Sequence, residues 1–505
     1  MRISILLLFI GLTVSATAQT FTWGTAVKHD KLEFTESSVI KRHLLSEDAN
    51  GVKRLRIEKG TNIRSAMITL EIYDVGLELK DTKVVLGEAI DNRQYEDIVI
   101  SEDRFHVFMT LTDIKAKTNT LSVVTFDMDG EQISENKSLD VIKDVKILGP
   151  GNFYVAGSKD GKQFASIGLP PYKKKTKETV QVKTYDIDFK EVFGGALQLP
   201  HFRKRIIYNT PFISNAGEFY MAKRIKVKKV GIVFEMYHLD KGAKKLNATT
   251  IDLPENSKPV MIDNKMIEAS NGDMILVGEQ KEDKRMRAAR GVFFVRFDKT
   301  GKVVKQMAAN LADSPKLGIT GFSVKKVELI GDDLYYFADL NGKSIVAGTD
   351  PSKREYTYSG GNMYVIKVSD GKIAWANAIE RSISQAGGKG SMVDWGWNVD
   401  AKTGQVVVFY NDWNRLYEAK VERFRKDIPN LIPIQIVIGD DGKMDKRPLL
   451  GVELGKFGDK FGQRKKFGRM EDTYSFCPNE IYQRDGYLLV KCTNSVDFKL
   501  GRVKY

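Results

Sequence analysis

The chain has 505 residues, of which 42% are hydrophobic and 10% aromatic. That content excludes a disordered chain and supplies an extensive core. A formal charge of +14 predicts attraction to anionic partners. Only two cysteines occur, and without CxxC spacing a thiol redox centre is excluded.

At the N-terminus, MRISILLLFIGLTVSATA sets one arginine before an apolar run from Ile3 to Val14 and ends on Ala16-Thr17-Ala18. This is the layout of a cleaved secretory signal, and the run is shorter than the roughly 18 to 20 residues a membrane span needs. No cysteine near the cut supports a lipid anchor, and no later segment is apolar enough to span. The expected organisation is a signal at 1–18 and one domain over 19–505. The expected location is periplasmic or extracellular, with the mature protein soluble.

A repeated hairpin follows. Its copies are LEIYDVGLELK from Leu70, VVTFDMDGEQI from Val123, VKTYDIDFKEV from Val182, FEMYHLDKGAKK from Phe234, FVRFDKTGKVV from Phe294, VIKVSDGKIAW from Val365 and IVIGDDGKMDK from Ile436. Asp74, Asp127, Asp186, Asp240, Asp298, Asp370 and Asp440 mark the turns. Aspartate caps turn amides and glycine supplies positive φ, so these residues read as turn chemistry. Before most hairpins stands a turn and a short apolar strand, as in GPGNFYVAGS, NAGEFYMAK, SNGDMILVGE, GDDLYYFADL, KTGQVVVFY and QRDGYLLVKC, and a further strand precedes each turn. Each unit therefore reads as four antiparallel strands.

Such units at this period resemble the β-propeller superfamily across nearly the whole mature chain. The resemblance implies an all-β propeller of four-stranded antiparallel blades. Eight blades are expected, with seven as the alternative if Leu32 to Lys59 is irregular. The final unit has three strands, and TFTWGTAVKH near the N-terminus is expected to complete it. DGKIAWANAI from Asp370 resembles one repeat of pyrroloquinoline-quinone-type propellers, with Trp375 as docking tryptophan. That pattern does not recur between blades, and no cofactor is expected.

In such a blade the turns between strands one and two and between three and four share one face, and the other connections lie opposite. The second set is long and basic: YKKKTK with Lys173, Lys174 and Lys175, AKRIKVKK from Ala222, KEDKRMRAAR with Arg285 and Arg287, and DPSKREYTY from Asp350. Crossovers add HFRKR with Arg203 and Lys204, and FGQRKKFGR with Lys465 and Lys466. Their convergence predicts a surface for an anionic partner, with Tyr172, Phe202, Phe461 and Phe467 as flat contacts. Lys223 to Lys229 read as an exposed long hairpin strand, and SQAGGKGS from Ser384 reads as a flexible crossover.

Trp395, Trp397 and Trp413 are candidate stacking or anchoring residues, with core packing as the other reading; Trp413 is placed in a loop just past a strand. NRLYEAKVERFRK reads as a short helix before Pro429. Cys477 and Cys492, nearly equidistant from a turn at Arg484-Asp485-Gly486, are expected to pair as a staple. The five histidines form neither HxH nor HExxH, so no metal is expected, and GxSxG is absent. Asp394, Asp412 and Glu418 are the carboxylates available to a glycosidase reading, each also readable as a cap, turn or solvated charge.

The expected function is non-catalytic binding or scaffolding of a protein, an anionic polysaccharide or another envelope component, by a monomer or part of an assembly; nucleic acid is not expected. A carbohydrate-active enzyme with channel carboxylates, or a structural component of an envelope assembly, are the alternatives.

Overall fold

A computed structural model describes residues 20–504 except 26, 29–38, 60–65, 88–92, 147–148, 172–175, 203–205, 209–210, 228–230, 244, 252–258, 281–288, 312–316, 318–320, 346–355, 382, 387–393, 414–430, 449–474, 477–480, 485–486 and 494–496. The described strands form a β-propeller. Seven blades are each built from strands consecutive in the chain. The four main strands of blade 1 are Val39–Asp48, Gly51–Lys59, Ala66–Tyr73 and Leu79–Leu86. Blade 2 runs from Gln94 to Lys143, blade 3 from Asn152 to Phe202, blade 4 from Ile206 to Ile251, blade 5 from Pro259 to Asn310, blade 6 from Ser323 to Ala386 and blade 7 from Trp395 to Pro448.

An additional sheet joins the chain's two ends. Thr20–Trp23 pairs antiparallel with Asp497–Lys504, which pairs with Tyr487–Thr493. This closing sheet packs on blade 7 through Phe409 against Leu488 and Val490, and on blade 1 through Val52 and Tyr73 against Leu489 and Phe498. The N-terminal strand thus pairs with the chain's last strand, as the sequence predicts, and the blades number seven, the alternative to the favoured eight.

All seven repeated hairpins are third and fourth strands of their blades. The reason is local. In five of them the residue three beyond the marker aspartate donates its amide to that aspartate's carbonyl: Leu77 to Asp74, Gly130 to Asp127, Phe189 to Asp186, Ala243 to Asp240 and Gly301 to Asp298. In blades 1, 2, 3 and 5 the aspartate Oδ1 also accepts the amide four residues on, for example Lys302 N at 3.0 Å in blade 5. Hydrogen bonds from Thr300, joined by the Lys302 amide, hold the Asp298 carboxyl below the usual range. In blade 7 the frame moves by one residue: Gly442 donates to Gly439, and Asp441 caps Lys443.

Burial follows from strand position. The second and third strands of blade 5, Met274–Gln280 and Gly291–Phe297, are buried almost throughout. Fourth strands such as Leu79–Leu86 expose most of one face, which places them at the rim and the first strands at the axis. Large cores lie between blades, as where Tyr336 and Tyr364 of blade 6 join Phe294 and Val277 of blade 5. Tyrosine hydroxyls cross the same boundaries, Tyr336 donating to Phe293 O at 2.9 Å and Tyr185 to Leu139 O at 3.1 Å.

Several sequence readings are corrected. NFYVAG is the first strand of blade 3, and the second is Phe164–Leu169, beyond a turn at Gly161. Lys223 to Lys229 do not form an exposed strand throughout. Lys223 is fully buried with Glu235 at 2.8 Å, and Ile225 joins the core, because alternate residues of this strand face the neighbouring sheet. Trp413 lies within Val406–Trp413, opposite Leu431. Ile383–Ala386 is a strand paired with Thr357–Gly360, so the crossover begins in regular structure. Among the described residues no helix is long and apolar enough to cross a membrane.

Candidate functional site

The two faces of the ring are built differently. On the face of the one-to-two and three-to-four turns, cations of one blade reach acids in a turn of the next. Lys53 and Lys83 of blade 1 meet Asp129 and Glu131 of blade 2. Arg296 and Lys305 of blade 5 meet Asp332 and Asp370 of blade 6, at 3.0 and 2.6 Å. Lys367 of blade 6 meets Asp440 of blade 7. A cleft of about 320 Å³ lies between the Arg296, Lys305, Asp332 and Asp370 side chains, whose charges are already matched. Trp375 docks on the same turn of blade 7: its Nε1 donates to Asp440 O at 2.9 Å, and its ring lies over Gly442, where a Cβ would sit 2.8 Å from Cγ.

Toward the opposite face, second strands bury a polar side chain at matching positions: Thr110, Lys223, Glu279, Asp339, Asn411 and Lys491. Two of them cross to the first strand of the next blade. Glu279 Oε1 accepts the Val324 amide at 2.6 Å and the Ser323 hydroxyl at 3.1 Å. Asp339 Oδ2 accepts Trp395 Nε1 at 2.9 Å and Asn341 Nδ2 at 2.7 Å. Buried Arg381 donates to Gly361 O, Asp394 O and Asn341 Oδ1, the last at 2.7 Å. Desolvation pushes the Asp394 carboxyl above its usual range, against the opposing bond from the Trp395 amide. Sequence reading missed this belt, although its signal is visible: a polar residue five or six positions beyond the turn, ending an apolar run, as in DMILVGE and DLYYFAD.

Trp395 is buried between blades 6 and 7. Trp397 is half-buried, stacks on Phe337 at 4.6 Å and donates to Glu328 Oε1 at 3.1 Å. Both indoles therefore pack between blades. Lys173, Lys174, Lys175, Arg203, Lys204, Arg285, Arg287, Lys465 and Lys466 lie outside the described residues, as do Glu418, the 414–426 segment, Cys477 and the signal region. Cys492 is described in its strand opposite Phe476, next to Cys477 in sequence.

The strand register nevertheless brings the entries to three basic segments together. Lys177, which follows 172–175, pairs with Phe202, which precedes 203–205. Ile206, which follows 203–205, pairs with Ile225, and Val227 pairs with Gly231 across 228–230. Those pairings join the two-to-three connections of blades 3 and 4 with the crossover between them.

A separate group lies on the short-turn face of blade 4. One ligand-type atom from each of Glu218, His238 and Asp240 falls within 4.8 Å of the others. Phe219 pairs with Leu239 and Tyr220 with His238, so the period of two puts Glu218 and Tyr220 beside Asp240 and His238. The search for HxH and HExxH could not find it, because its members come from two strands.

No family model matches the chain, and no curated protein does. Solved structures with similar architecture include the WD40 domain of SCAP from fission yeast, at 9% identity and TM-score 0.39, covering 96% of this chain and 94% of that one. The acylaminoacyl peptidase of Pyrococcus horikoshii aligns at 9% identity and TM-score 0.36, over 92% of this chain and 59% of that one. The β-propeller domain of the Trilobed protease from Pyrococcus furiosus, with an open velcro topology, aligns at 10% identity and TM-score 0.33, over 81% and 96%.

Proposed function

We propose that this protein is an exported, non-catalytic propeller that binds an anionic or acidic partner, a protein or an anionic polysaccharide of the cell envelope, on its long-connection face. The observation that carries the reading is the register of blades 3 and 4. The pairs Lys177 with Phe202 and Ile206 with Ile225 bring the strand ends flanking 172–175 and 203–205 together, and those segments hold Lys173, Lys174, Lys175, Arg203, Lys204 and Arg205 without an acid. On the other face the described inter-blade cations named above already have carboxylate partners. Clustered cations focus the field and speed encounter with an anion. Lys465 and Lys466, in the connection from blade 7 to the closing sheet, belong to the same proposed surface.

The test uses two fourfold charge reversals. One is Lys173→Glu, Lys174→Glu, Arg203→Glu and Lys204→Glu. The control reverses Lys159, Lys162, Lys299 and Lys302, all exposed at turns of the opposite face. Retention on an immobilised sulfated polysaccharide should fall with salt for the native protein and the control, and be lost in the first variant. Equal loss in both variants would leave only net charge at work and sink the assignment of a face.

One observation favours a carbohydrate-active reading: Asp394, raised by desolvation, has the property of a general acid. Hydrolysis of aryl glycosides that disappears in Asp394→Asn but survives the charge reversals would replace the binding proposal.

A further inference from the structure

We propose that Glu218, His238 and Asp240 form a binding site for a divalent transition metal of the zinc class on the short-turn face of blade 4. His238 carries the argument. It is 2% exposed, and among the described residues neither ring nitrogen has a hydrogen-bond partner. A buried imidazole with two unmet polar atoms is costly, and native structures rarely leave one without a purpose. Its Nε2 lies 3.2 Å from Asp240 Oδ1, an approach between two ligands of one ion that does not meet hydrogen-bond geometry.

Asp240 keeps the backbone bond of the turn, from Ala243 N to Asp240 O, and its carboxylate lies beside the imidazole. The third ligand is held in place: Tyr220 donates its hydroxyl to Glu218 Oε2 at 2.8 Å while its ring stacks on His238 at 4.6 Å and 14°. Outer partners of this kind fix the direction of metal ligands.

The donor set decides the class. One imidazole nitrogen with two carboxylates suits zinc and its neighbours, whereas calcium and magnesium select oxygen alone. Three protein ligands leave a position for water, and Asp240, with half its side chain exposed, gives the ion a path in. Gly301 of blade 5 closes the other side of the ring. A Cβ there would lie 3.2 Å from Nδ1, so glycine at this turn leaves the imidazole its room.

The full-length protein, stripped with EDTA and dialysed, is titrated with zinc chloride by calorimetry, with calcium chloride as a second arm. One zinc per chain is expected, with affinity at least tenfold lower in Asp240→Asn and Glu218→Gln. Retained binding is expected in His106→Gln, which alters a buried histidine of blade 2. X-ray absorption of the loaded protein should show nitrogen and oxygen ligands including one imidazole. His238→Gln should abolish binding, and if it does not fold, the exposed Asp240 variant still decides. No saturable zinc near one per chain, unchanged affinity in Asp240→Asn, or tighter binding of calcium than zinc would overturn the proposal.

Discussion

His106 should make this protein lose stability on mild acidification. The ring lies between Thr125 Oγ1, 2.9 Å from Nδ1, and Ser101 Oγ, 3.3 Å from Nε2. Phe164 and Phe189 of blade 3 meet it edge-on at 4.9 and 5.0 Å. Burial pushes its pKa from 6.5 down to about 4, Arg104 adding to the shift and Asp103 opposing it. The folded state therefore prefers the neutral ring. Above pH 6.5 neither state is charged and nothing is lost; below it the unfolded chain takes up a proton that the folded one refuses. Stability falls as pH drops from about 6.5 to about 4 and then levels. The two pKa values give a loss of about 2 kcal/mol at pH 5 and about 3 at pH 4. With unfolding entropy near 2.1 cal/mol/K per residue, a chain of this size loses about 1 °C of Tm per kcal/mol, so the native protein should lose about 2 °C from this group between pH 7.5 and pH 5. Scanning calorimetry of native and His106→Gln protein at both pH values isolates the effect. The variant starts less stable at pH 7.5, having lost a packed ring, but its Tm should fall about 2 °C less. Parallel falls would refute a neutral, desolvated His106.

Three further outcomes follow from single contacts. Glu71→Ala removes the carboxylate that meets the fully buried Arg54 guanidinium at 2.6 Å, beside the Tyr73 hydroxyl at 3.1 Å and the Phe498 ring of the closing sheet at 5.5 Å; it should cost about 3–5 kcal/mol, and Arg54→Met with Glu71→Leu should recover much of that in thermal unfolding. Trp375→Phe removes the bond to Asp440 O and should cost about 1 kcal/mol. Gly442→Ala should cost about 1–3 kcal/mol, since φ is +78° and the new methyl meets the Trp375 ring. In the double variant with Trp375→Phe the costs should fall short of their sum, because both changes touch one contact.

The sequence made the architecture legible through turn chemistry. A hairpin aspartate, in most copies followed by glycine, recurs because the same backbone bond closes five of the seven turns, and this local requirement survives divergence of the strands around it. Blade 3 was misread where that signal is weak: GPGNFYVAGS has the composition of a second strand, and only the pairing Asn152 with Leu169 makes it a first. The site was harder to read because its geometry depends on neighbours. Trp395 reads from sequence as core more readily than as a stacking residue, and the bond to Asp339 in the adjacent blade decides for the core. Likewise, His238 and Glu218 become partners only through the register of Phe219 with Leu239.

The contrast between faces has one physical source. Short turns must meet the next blade at close range, so Lys305, Lys367 and Arg296 fix the angle between neighbours by ion pairs, and a substitution there disturbs the ring before it touches any ligand. Individual exposed pairs contribute little, but Lys367, only 6% exposed and set between Asp333 and Asp440, is shielded enough to hold geometry. Between blades 5 and 6 and between blades 6 and 7 a further lock lies one layer below, where Glu279 and Asp339 join second strands to the first strand of the next blade. The short-turn face thus carries inter-blade ion pairs in its own right, which is why the proposed anion surface is placed on the long-connection face and why the charge-reversal control is set on the other.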